Sequence, residues 1–200
     1  RAGASAPKSA IPQLAWNQIR PAPVVLVSGT ESFLAERSTR MLRDLLKAED
    51  PSLEISDVSA ADYAPGELLT LASPSLFGEP RLIRVDAVEK TGDGFLSEML
   101  DYLAAPAEGT VVVLRHAGGV RGKKLLDAIR AGAGGGIEVV CTELKKDTEK
   151  YDFAQAEFAT AGRKITPGAL RSLRSAFTDD LAELAAACQQ LLSDSAEQIT

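Results

Sequence analysis

Histidine is almost missing from this 200-residue chain: His116 stands alone, with only two cysteines, Cys141 and Cys188. These three cannot assemble a zinc site of the His/Cys kind without carboxylates or a second chain. The cysteines lie far apart and outside any CxxC, in a chain long enough to bury its own core. A disulfide framework is therefore not expected, and a reducing, cytoplasmic setting fits. Both sit in apolar context, Cys141 in the run 137–141 and Cys188 on a helical stripe, and read as small buried hydrophobes. Basic residues are in deficit as well, since 22 Lys and Arg against 28 Asp and Glu leave a formal net charge of −6. That balance argues against a free-standing, non-specific nucleic-acid binder. No apolar run approaches the ~18 residues of a transmembrane helix, so no membrane partner is expected. Residues 1–8 lack the apolar core of a secretory signal. What remains, 45% hydrophobic and 25% charged, is an ordinary globular composition at a length that suits one domain, or one plus a small second.

Residues 1–22 carry Arg1, Lys8 and Arg20 with no acid and read as a tail. A short docked piece is expected at 11–19, where Leu14 and Trp16 could cover an edge of the core. Beyond it, β-type runs recur at 24–27, 53–58, 82–85, 111–114 and 137–141, each separated from the next by helix-type sequence. This pattern predicts an α/β domain over 23–144: a parallel five-stranded sheet with helices on both faces. Helices are expected at 31–47, 65–71, 95–103 and 123–130; the first presents Leu34, Met41, Leu42, Leu45 and Leu46 along one face. After Cys141 the texture changes. Residues 142–150 are polar and read as a linker. An all-helical domain is expected over 145–200, with three helices and no strand between them. The first covers 152–161. The second has Thr166 as N-cap and Pro167 in the first helical position, with Ile165 stapled against Leu170. The third starts at Thr178 or Asp179 and carries Leu181, Leu184, Ala185, Cys188, Leu191 and Leu192 on one stripe.

A strand running into Ser28-Gly29-Thr30-Glu31 and then a helix invites a phosphate-binding reading, because a helix N-terminus after a glycine turn offers free N–H groups to an anion. P-loop chemistry requires Gly-x-x-x-x-Gly-Lys-Ser/Thr, with glycine for close backbone approach, lysine for the β/γ oxygens and a hydroxyl for Mg²⁺. Here Leu34 replaces the second glycine, Ala35 replaces the lysine, and Glu36 follows. Glu31 and Glu36 would face a polyphosphate that is already anionic. Gly29, Glu31 and Glu36 thus mark a degenerate phosphate loop that does not bind. A metal-holding acid is expected after the fourth run, but Arg115 and His116 follow Leu114. His116 reads as a solvated or hydrogen-bonded strand-end residue, and no GxSxG elbow accompanies it. Gly118-Gly119 and 132–136 do not give GxGxxG and read as flexible connections. The basic pairs Lys123-Lys124, Lys145-Lys146 and Arg163-Lys164 are interspersed with acids and read as solvated faces.

The segment Ser73-Pro74-Ser75-Leu76-Phe77-Gly78-Glu79-Pro80 does not fit so plain a reading. Pro74, Gly78 and Pro80 make turns, so it is a constrained loop. At its tip stand two large apolar residues, which either fold back onto the core or project as a binding plug.

The run Ser28 to Leu34 after a strand, together with Pro74-Ser75-Leu76-Phe77-Gly78-Glu79-Pro80-Arg81-Leu82 at a helix–strand junction, resembles the delta subunit of the bacterial DNA polymerase III clamp loader. Gly162 to Pro167, Thr178 to Leu192 and Gln198 to Thr200 are similar to that family's second domain. The resemblance implies an AAA+-like α/β domain that has lost ATP binding, a lid-type helical domain, and no cofactor. It implies a non-catalytic subunit of a DNA-directed DNA polymerase holoenzyme that helps open the β sliding clamp for loading onto primed DNA. Leu76 and Phe77, flanked by Ser75 and Gly78, would enter a pocket of the clamp. The gamma/tau and delta-prime subunits would be met through a C-terminal collar domain, which a chain ending at Thr200 lacks, and DNA mainly through the assembly. From the residues alone, a P-loop-like NTPase and a generic doubly wound ligand-binding domain stay open as alternatives.

Overall fold

The computed structural model describes residues 9–176, 180–194 and 198–199. The chain divides into two compact units, Arg1–Thr142 and Glu143–Thr200.

The first unit is built around β2 (Val24–Ser28), whose Val24, Val25, Leu26 and Val27 have no exposed surface. A parallel strand covered on both faces is apolar along its whole length rather than alternately. Around it, β1 (Gln13–Ala15), β3 (Glu54–Ser59), β4 (Arg81–Asp86), β5 (Thr110–His116) and β6 (Ile137–Val140) form a parallel sheet in the order β1-β6-β2-β5-β4-β3. The chain crosses the sheet in one direction through α1 (Ser32–Glu49). It returns through α2 (Glu67–Leu71), α3 (Asp93–Ala104) and α4 (Lys123–Arg130). Right-handed crossovers then put α1 on one face and the other three helices on the opposite face. The side chains agree: Val24, Leu26, Val112 and Leu114 share one cluster with Leu68, Phe95, Met99 and Leu125.

The sheet has six strands, not the expected five, because the segment expected as a tail supplies β1. Gln13 lies opposite Glu138 in parallel register. Its amide donates to the Glu138 carboxylate at 3.0 Å, and Ala10 N–H donates to Arg130 O at 2.8 Å. Ile11 and Ile19 are buried on either side of it, while Leu14 and Trp16 stay half-buried. Three residues without β-branching carry no period, so only the pairing defines this strand. Two glycines of the run after α4, Gly134 and Gly136, pack closely against Val24. A Cβ on Gly136 would stand 2.5 Å from Val24 O.

The second unit holds α5 (Asp147–Thr160), α6 (Pro167–Ala176) and α7 (Leu181–Asp194) around Phe153, Phe158, Leu170, Leu173, Leu184 and Cys188. It is not all-helical: β7 (Lys164–Ile165) pairs in parallel with β8 (Gln198–Ile199). Two-residue strands are below any periodic signal. Helix α5 also begins earlier than expected, inside the polar stretch. Glu149 accepts from Lys146 N–H at 2.9 Å, and Asp147 and Glu149 in the first turn suit the positive end of the helix. Thr166 Oγ1 accepts from Ala169 N–H at 3.3 Å, as an N-cap does. The expected start of the third helix at Thr178 or Asp179 lies outside the described residues. Asp180 caps the part that is described, accepting from Ala182 N–H at 2.8 Å.

Candidate functional site

Parallel strands separate the two candidate regions of the first unit. The β2–α1 turn lies at the carboxyl edge of the sheet, where doubly wound folds bind ligands. The α2–β4 loop lies at the opposite edge.

At the carboxyl edge the phosphate cradle is closed by the protein's own groups. Gly29 has φ +118°, and a Cβ there would stand 2.2 Å from Cys141 O. Its N–H donates to His116 O at 3.1 Å, and Glu31 N–H donates to Cys141 O at 3.0 Å. Amides that would face a phosphate are thus spent on the neighbouring strand ends. Glu31 caps α1 itself, its carboxylate accepting from Phe33 N–H at 3.1 Å, so the positive end of the helix already has its anion. Leu34 and Ala35 are buried, whereas Glu36 faces solvent. Arg115 Nη1 donates to Gly29 O and to His116 O, both at 2.8 Å. His116 is buried, with Nε2 2.9 Å from Arg121 O. A magnesium triphosphate does not fit this turn: no lysine is present, two carboxylates flank it, and the Gly29, Glu31 and Phe33 amides are engaged.

An open cleft of about 830 Å³ runs from this turn beneath α1, lined by Ser32, Glu36, Arg40, Arg84, Asp86 and Arg115. Asp86 was missed by looking for an acid only after 111–114; it closes β4 instead, and an apolar run ending in aspartate was its signal. Arg84 is engaged by Asp57 across the strands through two hydrogen bonds of 2.7 Å. Among the described residues, no group of three His, Cys, Asp or Glu is placed to hold a metal ion, and no helix is long and apolar enough to cross a membrane.

At the opposite edge, the loop between α2 and β4 presents its apolar tip to solvent. Leu76 is 97% exposed and Phe77 88%. A loop that carries two large apolar side chains outward is held by polar contacts beneath them. Ser75 donates to the Glu79 carboxylate and its hydroxyl accepts from Phe77 N–H at 3.2 Å. The Ser75 hydroxyl holds the Glu79 carboxyl below its ordinary range. Gly78 sits at φ +77°, the left-handed conformation that lets the chain turn back. Arg81 Nη1 donates to Leu71 O at 2.6 Å and also to Ser73 O.

The start of α2 is pinned as well. Glu98 on α3 accepts from Gly66 N–H at 2.9 Å and from Tyr63 Oη at 2.5 Å. Tyr63 Oη in turn accepts from Leu68 N–H at 2.8 Å. Burial and the Glu98 hydrogen bond push the Tyr63 hydroxyl up to about 12. Leu69 on the outer side of the same helix is 55% exposed. The loop composition pointed to Leu76 and Phe77. Arg81 and Leu69 were missed, because a lone arginine opening a strand and a leucine in a short helix have no special pattern.

The architecture is a parallel α/β fold followed by a small, mainly helical unit. It is similar to the Bacillus subtilis DNA clamp loader delta protein, with a TM-score of 0.67 and 22% identity over 89% of this chain. The chain spans 56% of that protein's length. The Thermotoga maritima RuvB Holliday junction branch migration motor aligns over 88% of the chain and 57% of its own, at 13% identity and a TM-score of 0.47. No protein-family model matches the sequence, and no curated protein does.

Proposed function

We propose that the chain is the clamp-binding part of a delta-type clamp-loader subunit. It binds the β sliding clamp through Leu76 and Phe77, with Ser75 and Gly78 shaping the tip, and helps open the ring for loading onto primed DNA. It does no catalysis alone, within a DNA-directed DNA polymerase holoenzyme that also holds gamma/tau and delta-prime subunits. Those subunits are met through a collar domain beyond this chain, and DNA mainly through the assembly. The observation that carries the reading is a Leu–Phe pair almost wholly in solvent on a braced loop. Large apolar side chains held outward mark a binding site. The fold it shares with a clamp loader delta protein agrees. Opening a ring needs no chemistry here: the subunit has only to bind the sprung conformation better than the closed one. Cys141 and Cys188 are small buried side chains far apart in the sequence, which fits a reducing, cytoplasmic setting.

Titration calorimetry of the chain against a purified bacterial sliding clamp tests this reading. Saturable binding is expected, and its absence at tens of micromolar clamp rejects it. The NTPase alternative is tested separately with Mg–ATP. A ligand present at 100 times its Kd stabilises a protein by roughly 2.7 kcal/mol, so millimolar nucleotide would raise the melting temperature by several degrees if a micromolar site existed. No shift is expected, because Glu31 occupies the helix end.

A further inference from the structure

Between α2 and β4 the chain has two fixed points and a tip. Ser73 and Leu71 are tied to β4 by the Arg81 guanidinium, and Pro80 O is tied to β3 by Glu54 N–H at 2.9 Å. Arg81 is itself well placed to act as an anchor. Its side chain is only 20% exposed, its backbone belongs to an interior strand of the sheet, and its Nε lies 3.4 Å from the Glu54 carboxylate. The carbonyls it binds are those of Leu71, the last residue of α2, and of Ser73 just beyond it, where no further helical N–H follows to satisfy them. Between the fixed points, the Ser75–Glu79 hydrogen bond closes the turn around Leu76 and Phe77. Without such ties the loop would sample more backbone conformations, and the binding shape would be a smaller fraction of them.

We propose that Arg81 is a positioning residue for docking. Together with the Ser75–Glu79 brace, it keeps the Leu76–Phe77 tip outward and in its binding shape before any partner arrives. This rests on the reading of the tip as the clamp-binding plug. A partner that meets a pre-shaped tip does not have to order it, and apparent affinity scales with the fraction of chains already competent. Arg81 turns toward α2 and β3, away from the tip, and acts without touching the partner.

Two readouts on the 200-residue chain test this: affinity for the sliding clamp, and hydrogen exchange of amides 75–79 in the free chain. Arg81→Gln is expected to weaken clamp binding about five- to tenfold, the loss expected when a charge-assisted hydrogen bond that holds the competent state is removed. It is also expected to speed exchange at Phe77. Arg81→Lys, whose ammonium still meets a carbonyl, is expected to recover part of both. Should Arg81→Gln compromise folding, Glu79→Gln, which leaves β4 intact, is expected to weaken binding several-fold with the same faster exchange. Wild-type affinity in these variants overturns the proposal, and so does lost affinity with unchanged loop exchange. The plug reading fails separately: wild-type chain that ignores the clamp, or a Leu76→Ala/Phe77→Ala variant that binds as wild type, removes that reading and this proposal with it.

Discussion

Replacing both Leu76 and Phe77 by alanine separates a docking tip from a piece of the core by magnitude. At 97% and 88% exposure the two side chains bury almost nothing in the free protein. Their removal therefore takes almost no apolar area out of the folded state, and unfolding free energy should change by less than about 0.5 kcal/mol. A buried Leu or Phe lost to alanine would cost roughly 2–5 kcal/mol, several degrees of melting temperature in a protein of this size. Seated in an apolar pocket of a partner, the same side chains would contribute roughly 1.5–3 kcal/mol each. At about 1.4 kcal/mol per decade, losing both weakens association by about two to four orders of magnitude. The assay is a paired one: thermal unfolding of the free variant, and calorimetric titration against the sliding clamp. Unchanged melting with abolished binding is the expected pattern. A fall of several degrees, or a Kd within threefold of wild type, refutes the reasoning.

Two more predictions concern the sheet. Glu138 is 1% exposed at the side chain, and its carboxylate takes hydrogen bonds from Arg130, Ser28 and Gln13, the Ser28 bond at 2.6 Å. Burial pushes its pKa up, but those donors outweigh it and hold the group below 4.5. Its stabilisation is therefore fully present above about pH 4.5 and is lost as pH falls through the folded value. Acid titration of Glu138→Gln should show a flatter loss of stability below that point, and a slope equal to wild type contradicts the assignment. At neutral pH the same substitution should cost roughly 2–3 kcal/mol by chemical denaturation, less than a fully buried pair because a third of Arg130 stays in water. Gly29→Ala places a Cβ 2.2 Å from Cys141 O at φ +118°, and an unfolding midpoint like that of wild type would mean that the β2–α1 turn is wrongly described.

Most of the sheet was legible because buried parallel strands are continuous apolar runs: all of 24–27, 82–85 and 111–114 lie inside observed strands. Helix α4 spans Lys123–Arg130, the range expected from the sequence. The departure of residues 29–36 from the P-loop pattern was also readable in order, since Leu34, Ala35 and Glu36 stand where that pattern has glycine, lysine and a hydroxyl. The first turn of α5 was misread because Asp147 and Glu149 resemble a solvated linker until their caps are seen.

Residue type and spacing along the chain were enough to name a doubly wound parallel domain, a strand–helix turn that departs from the P-loop pattern and an apolar loop tip, because those depend on local chemistry. Pairing and direction needed the folded molecule. Strand β1 exists through Gln13 meeting Glu138 across 125 residues of chain, and Asp86 reaches the cleft beneath α1 only through the strand order. The loop that carries Leu76 and Phe77 is tied by an arginine whose partners are the carbonyls of Leu71 at the end of α2 and of Ser73 beyond it. Long-range hydrogen bonds leave no period in a sequence, so these features come into being only when distant segments are brought together.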